Sequence, residues 1–207
     1  MPTPAHLRFS FRSTLRRYRR DRGGSTIVEF AIIAPIFFAL LFAIIESALM
    51  FFAGQLLETI AEDSARVIMT GQAQTLPICQ MDGDPTPQAC NQETFKTLVC
   101  SKIPALFDCH RLAVDVRSYA AGFTGVTNPN YVNASKNFVP TTGYDPGGPN
   151  SIVVVQLFYQ WPQVVTGLGF DYTNLAGNMR LLVATAAFKN EPYIASGAGG
   201  AGGAGGP

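Results

Sequence analysis

The chain has 207 residues, of which 47% are hydrophobic and only 14% charged, with a net charge of +1. That composition excludes wholesale disorder and a highly charged nucleic-acid binder, since average chains are about 25% charged. With two histidines in the whole chain, there is little room for imidazole catalysis or a histidine metal site.

The small net charge conceals an asymmetry. Residues 1–24 form a basic leader with seven arginines and one acid, Asp21, a charge of +6. The rest of the chain carries −5. Next comes a long apolar run: from Phe30 to Leu57, 28 residues, the one charged side chain is Glu46. A spanning helix needs roughly 20 such residues. The run therefore reads as a membrane span at about 30–57, inside one helix over 25–70. Arginines before the span and acids after it keep the N-terminus cytoplasmic and translocate the C-terminal part. The basic run so close to a span is read as topogenic and lipid-facing, not as a nucleic-acid arm.

Beyond the span, the helix turns amphipathic. Leu56, Leu57, Ile60, Ala61, Ser64 and Ile68 fall on one face, and Gly71 is the expected stop. Residues 71–192 read as a small periplasmic α+β domain with an antiparallel sheet. A short helix is expected over 92–106, with Phe95, Leu98, Val99, Ile103 and Leu106 on one side, unless Pro104 ends it early. Arg111–Tyr119 alternates Leu112, Val114 and Val116 against Asp115 and Arg117, which predicts a half-buried strand with its polar face in solvent. Ser151–Gln160 reads as a central strand and Arg180–Phe188 as a third. Between Ala120 and Asn150 lies a stretch rich in Gly, Pro and Asn. It holds a short strand near Asn137–Pro140 or forms an exposed loop. Residues 193–207, mostly Gly and Ala, cannot build a core and read as a disordered tail.

All four cysteines, Cys79, Cys90, Cys100 and Cys109, follow the span. In an oxidising compartment an even number pairs. Neighbour pairing, Cys79–Cys90 and Cys100–Cys109, closes two short loops and is favoured, although four cysteines allow three connectivities. Their spacings of 11, 10 and 9 lack the close ligand pairs of a zinc site. No metal and no cofactor is expected. Nor is an enzyme: His6 lies in the leader, and His110 beside Cys109 is not the spatially convergent pair that a nucleophile needs. Asn133-Ala-Ser135 matches a glycosylation sequon, a pattern frequent by chance.

The junction between leader and span carries the strongest signal. In Arg22-Gly23-Gly24-Ser25-Thr26-Ile27-Val28-Glu29-Phe30 the glycines admit a protease to extended backbone, and a lone carboxylate sits near the start of an apolar run. This sequence resembles the processing site of pilin-like proteins of the tight-adherence (Tad) pilus system, and within it the TadE-like pseudopilins. Pro35, Ile44-Ile45-Glu46 and Asp63-Ser64-Ala65-Arg66 extend the likeness, which is strong over Gly23–Thr70 and looser over Arg180–Pro192. The resemblance implies a pilin-like fold, cleavage between Gly24 and Ser25 by a prepilin peptidase, and pairing of Glu29, followed by the aromatic Phe30, with the Ser25 amine of a neighbouring subunit. Glu46, 17 residues beyond Glu29 or roughly 25 Å along a helix, reads as a second intramembrane or interfacial carboxylate with a structural role.

The expected partners are other pilin and pseudopilin subunits, the prepilin peptidase, the inner-membrane assembly platform and the lipid bilayer, with no nucleic acid. The expected location is the bacterial inner membrane and, in an assembled fibre, the cell surface. Two rivals share parts of this reading: a single-pass anchored domain with no fibre role, and a secreted binding protein.

Overall fold

The computed structural model describes residues 24–75, 90–119, 126, 130–140, 142–164 and 172–193. The leader up to Gly23, Cys79 and the tail from Ile194 lie outside the described residues. The chain divides into two units, Met1–Ile45 and Glu46–Pro207.

Helix α1 spans Ser25–Met69, 45 residues. In the first unit its side chains are apolar on every face: Ile27, Phe30, Ile32, Ile33, Ile36, Phe37 and Ile44 are all exposed. A helix apolar all round belongs in lipid or in a bundle of its own kind. Pro35 lies inside this segment and removes one backbone donor. The rest of the ladder satisfies the backbone internally, as a low-dielectric surrounding demands.

In the second unit α1 becomes one wall of a core. Leu57, Ile60, Ala61, Ser64 and Ile68 are buried, and Leu56 is half-buried, as the sequence spacing predicts. Met50 and Ala53 are buried too, in the same apolar cluster as the sheet. One side of the expected 30–57 span is therefore covered by protein from Met50 onward. Each fully buried Leu or Ile contributes about 1.5–3 kcal/mol. The helix ends at Gly71, whose φ of +74° is the left-handed stop. A Cβ there would also lie 2.4 Å from the Tyr193 ring, so glycine is required twice over.

A one-turn helix, α2 (Gln72–Thr75), follows, then α3 (Gln92–Lys102). Asn91 caps α3: its side chain accepts from the Thr94 amide at 2.9 Å, and Thr94 Oγ1 accepts from the Asn91 amide at 2.9 Å. The helix stops at Lys102, ahead of Pro104, which forces the preceding residue out of the α region. The expected helix to residue 106 is thus shorter: Phe95 and Val99 are buried, while Leu106 lies past the end and is exposed. Lys102 Nζ donates to the Asp63 carbonyl on α1 at 3.0 Å.

Strands β1 (Leu112–Tyr119), β2 (Ile152–Pro162) and β3 (Met179–Lys189) form an antiparallel sheet in the order β1-β2-β3, with β2 central as expected. Val114 pairs with Leu157 and Leu157 with Ala184, so these three residues share the face that packs on the helices. The opposite face departs from expectation. Asp115 is 1% exposed. Part of that face is covered: Tyr131 and Leu175 pack on Phe158 and Leu181 in a second cluster. Tyr144 bridges to Val116, and the Val116 amide donates to the Gly143 carbonyl. The expected strand near Asn137–Pro140 is reduced to one bridge, Val132 to Phe138, because the chain turns through Lys136 at φ 57°.

Candidate functional site

The residues singled out at the leader junction occupy the first turns of α1. Gly24 stands just before the helix, and Ser25 opens it. A Cβ built on Gly24 meets nothing within 4 Å, so packing does not demand glycine there. Glu29 is exposed, one turn beyond Ser25, and Phe30 beside it is 68% exposed. Glu29 is the one acid between Gly24 and Ile45, a carboxylate on an otherwise apolar surface. Phe37, Phe38 and Phe42 continue that surface, with Phe37 and Phe38 edge-to-face at 5.6 Å.

Glu46 belongs to the second unit. Its carboxylate accepts a short hydrogen bond from the Val164 backbone amide, just past β2. A second bond ties the other end of the sheet to the same helix: the Glu191 amide donates to the Met69 carbonyl at 2.9 Å. Glu46 therefore does not join the Gly24–Phe30 group. It holds the end of β2 against the helix, a contact between residues 118 positions apart that sequence spacing does not reveal.

The disulfide between Cys100 and Cys109 joins the last turn of α3 to the turn that enters β1. Cys90 is also disulfide-bonded; Cys79 lies outside the described residues. The Cys109 sulfur is spent in its bridge, so His110 has no thiolate beside it to activate. In the Asn133 sequon the side-chain oxygen already accepts from the amides of Ser135 and Asn137, which makes it a turn-forming group.

The same face of the sheet holds a hollow of about 240 Å³ with a mixed lining: Asp115, Arg117, Tyr131, Gln156 and Thr185, with Tyr119, Val126 and Val154. Asp115 accepts from the Gly143 amide at 2.7 Å and from Arg117 Nε at 2.8 Å. Tyr131 Oη donates to Gln156 Oε1 at 2.6 Å. Burial, with the Asp115 charge nearby, raises the Tyr131 phenol above its usual range. Asp115 was legible only as the outward residue of an alternating strand, and nothing local announces the loop that covers it.

Comparison with curated proteins and with solved structures gives no match. Residues 24–66 match the family of TadE-like proteins. The matched segment begins at Gly24, contains Glu29, Phe30, Pro35 and Glu46, and runs almost to the end of α1. Over that helix the chain is similar to TadE-like proteins, a likeness that points toward Tad pilus-related function.

Proposed function

We propose that the chain is the precursor of a pseudopilin, a minor component of a Tad-type pilus. A prepilin peptidase cuts between Gly24 and Ser25 and discards the basic leader. The new subunit stays in the inner membrane through the apolar half of α1, with its disulfide-bonded domain on the periplasmic side. On assembly, helices replace lipid with one another, and Glu29 pairs with the Ser25 amine of a neighbour. A charge in a low-dielectric bundle is costly unless paired, so the pair sets register between subunits more than it adds stability.

The observation that carries this reading is the coincidence at the start of α1. A glycine that packing does not require is followed, within two turns, by a single carboxylate on a helix apolar all round. The domain fits a minor role, because it adds a folded body to the helix that packs in the fibre.

The test is the N-terminus of membrane-extracted protein, with and without a co-expressed prepilin peptidase. The expected result is a start at Ser25 that depends on the peptidase. A start at Met1 in both cases leaves a simple anchored domain. A start beyond about Ala53 means ordinary secretion by a signal peptide.

A further inference from the structure

We propose that the end of the domain formed by Val164, Tyr172 and Arg180 rests on the bilayer surface and binds lipid headgroups as a second membrane contact. The proposal rests on reading the apolar half of α1 as membrane-inserted.

The argument starts from where the sheet is pinned along the helix. The Val164 amide is bonded to Glu46, and the Glu191 amide to Met69. These helix positions are 23 residues apart, roughly 35 Å at 1.5 Å per residue. The sheet thus has one end at residue 46, the first residue of the second unit and within the apolar run, and one far from it.

The near end differs in character from an ordinary loop rim. Val164 is 86% exposed, and Tyr172 is 40% exposed. Arg180 is held at this end by donating to the Tyr172 carbonyl at 2.7 Å, and the Gln163 amide bonds to the Asn178 carbonyl. Five and six residues beyond Glu46 on the helix, Phe51 and Phe52 are 73% and 55% exposed. A bare valine, a tyrosine, an arginine and two phenylalanines toward the C-terminal end of a membrane span make up the composition of a membrane–water boundary. Aromatic rings and snorkelling cations sit there at headgroup depth.

Glu46 fits the same picture. Its carboxylate takes a backbone amide that would otherwise need water, and this keeps the rim of the sheet at the boundary. A partner protein on this patch is the rival occupant, and the experiment excludes one of the two.

Trp161 is the sole tryptophan and lies three residues before Val164, within roughly 10 Å along an extended strand. The full chain is reconstituted in phosphatidylcholine vesicles that contain a nitroxide-bearing phosphatidylcholine. A nitroxide near the headgroup should cause a clear loss of Trp161 emission, and one at the acyl-chain end a smaller loss. V164D should weaken the headgroup quenching. The double variant W161F/E191W, which moves the indole to the far end, should not be quenched. If neither lipid quenches native Trp161, the domain end does not touch the bilayer and the proposal falls. Carbonate extraction of the same vesicles separates the two failures. A chain stripped from the lipid refutes membrane insertion itself, whereas a retained but unquenched chain refutes only the headgroup contact.

Discussion

Replacing Asp115 with alanine tests how the overlain face of the sheet is held. The carboxylate is 1% exposed and has two partners, the Gly143 amide at 2.7 Å and Arg117 Nε at 2.8 Å. A backbone hydrogen bond to a charged acceptor contributes about 1.5–3 kcal/mol. The Arg117 side chain is 36% exposed, so the ion pair is discounted for solvent screening to about 1 kcal/mol or less. Asp115→Ala should therefore cost about 2–4 kcal/mol, mostly through the unsatisfied Gly143 amide. Asp115→Asn keeps an acceptor of the same shape and should cost less than half as much. The assay is urea unfolding of the full chain in mild detergent, followed by emission of Trp161 in the main core. A falling midpoint at constant slope reads as lost stability. If Asp115→Ala lies within about 0.5 kcal/mol of the parent, the range of an ordinary surface substitution, the return of residues 143–145 onto β1 does not depend on this carboxylate and the reasoning is wrong.

Glu29→Ala should still be inserted and cleaved. Truncating one side of an interfacial charge pair costs about 2–5 kcal/mol, so incorporation into fibres should fall by more than about tenfold; normal piliation by this variant would rule out the pairing. Replacing Cys100 and Cys109 together by serine should cost about 2–3 kcal/mol through loop-closure entropy, read as a lower urea midpoint than the parent's. Among the described residues the Tyr144 hydroxyl is buried without a partner, while its ring lies 5.4 Å from that of Phe95. Tyr144→Phe should therefore be neutral or stabilising by about 1 kcal/mol. Burial raises the Tyr144 phenol above its ordinary 10. Above pH 10 the unfolded chain ionises this group before the folded one does, so stability is lost as pH rises through that region, and a pH series should show a shallower loss in Tyr144→Phe.

Much of the fold is legible in the sequence because single elements carry their own signals. The period of Leu57, Ile60, Ala61 and Ile68 marks the buried face of α1, Gly71 its end, and the Val-rich run from Ser151 the central strand. Cys100 pairs with Cys109, one of the neighbour pairings that short loops favour, although the sequence alone leaves three connectivities open. What the sequence hides is contact between distant segments. Asp115 looks solvent-facing because alternation speaks for its own strand and not for a loop thirty residues on. The capture of the Val164 amide by Glu46 is invisible for the same reason. At the leader junction the case is reversed: Gly24 and Glu29 are conspicuous in the sequence, while a Cβ on Gly24 would meet nothing within 4 Å, so packing gives no reason for that glycine, and the proposed reason is recognition by a protease.

The shared wall between helix and sheet has a consequence for any released form of the protein. Leu57, Ile60, Ala61 and Ile68 cover the same face of the sheet that Phe95 and Val99 cover. Anchor and domain are therefore not separable at the point where hydropathy falls. A cut near residue 45 would free a body that keeps its core. A cut at residue 60 would take away the lid of the sheet and leave its valines open to water, so release by cleavage that far along the helix would be an act of unfolding.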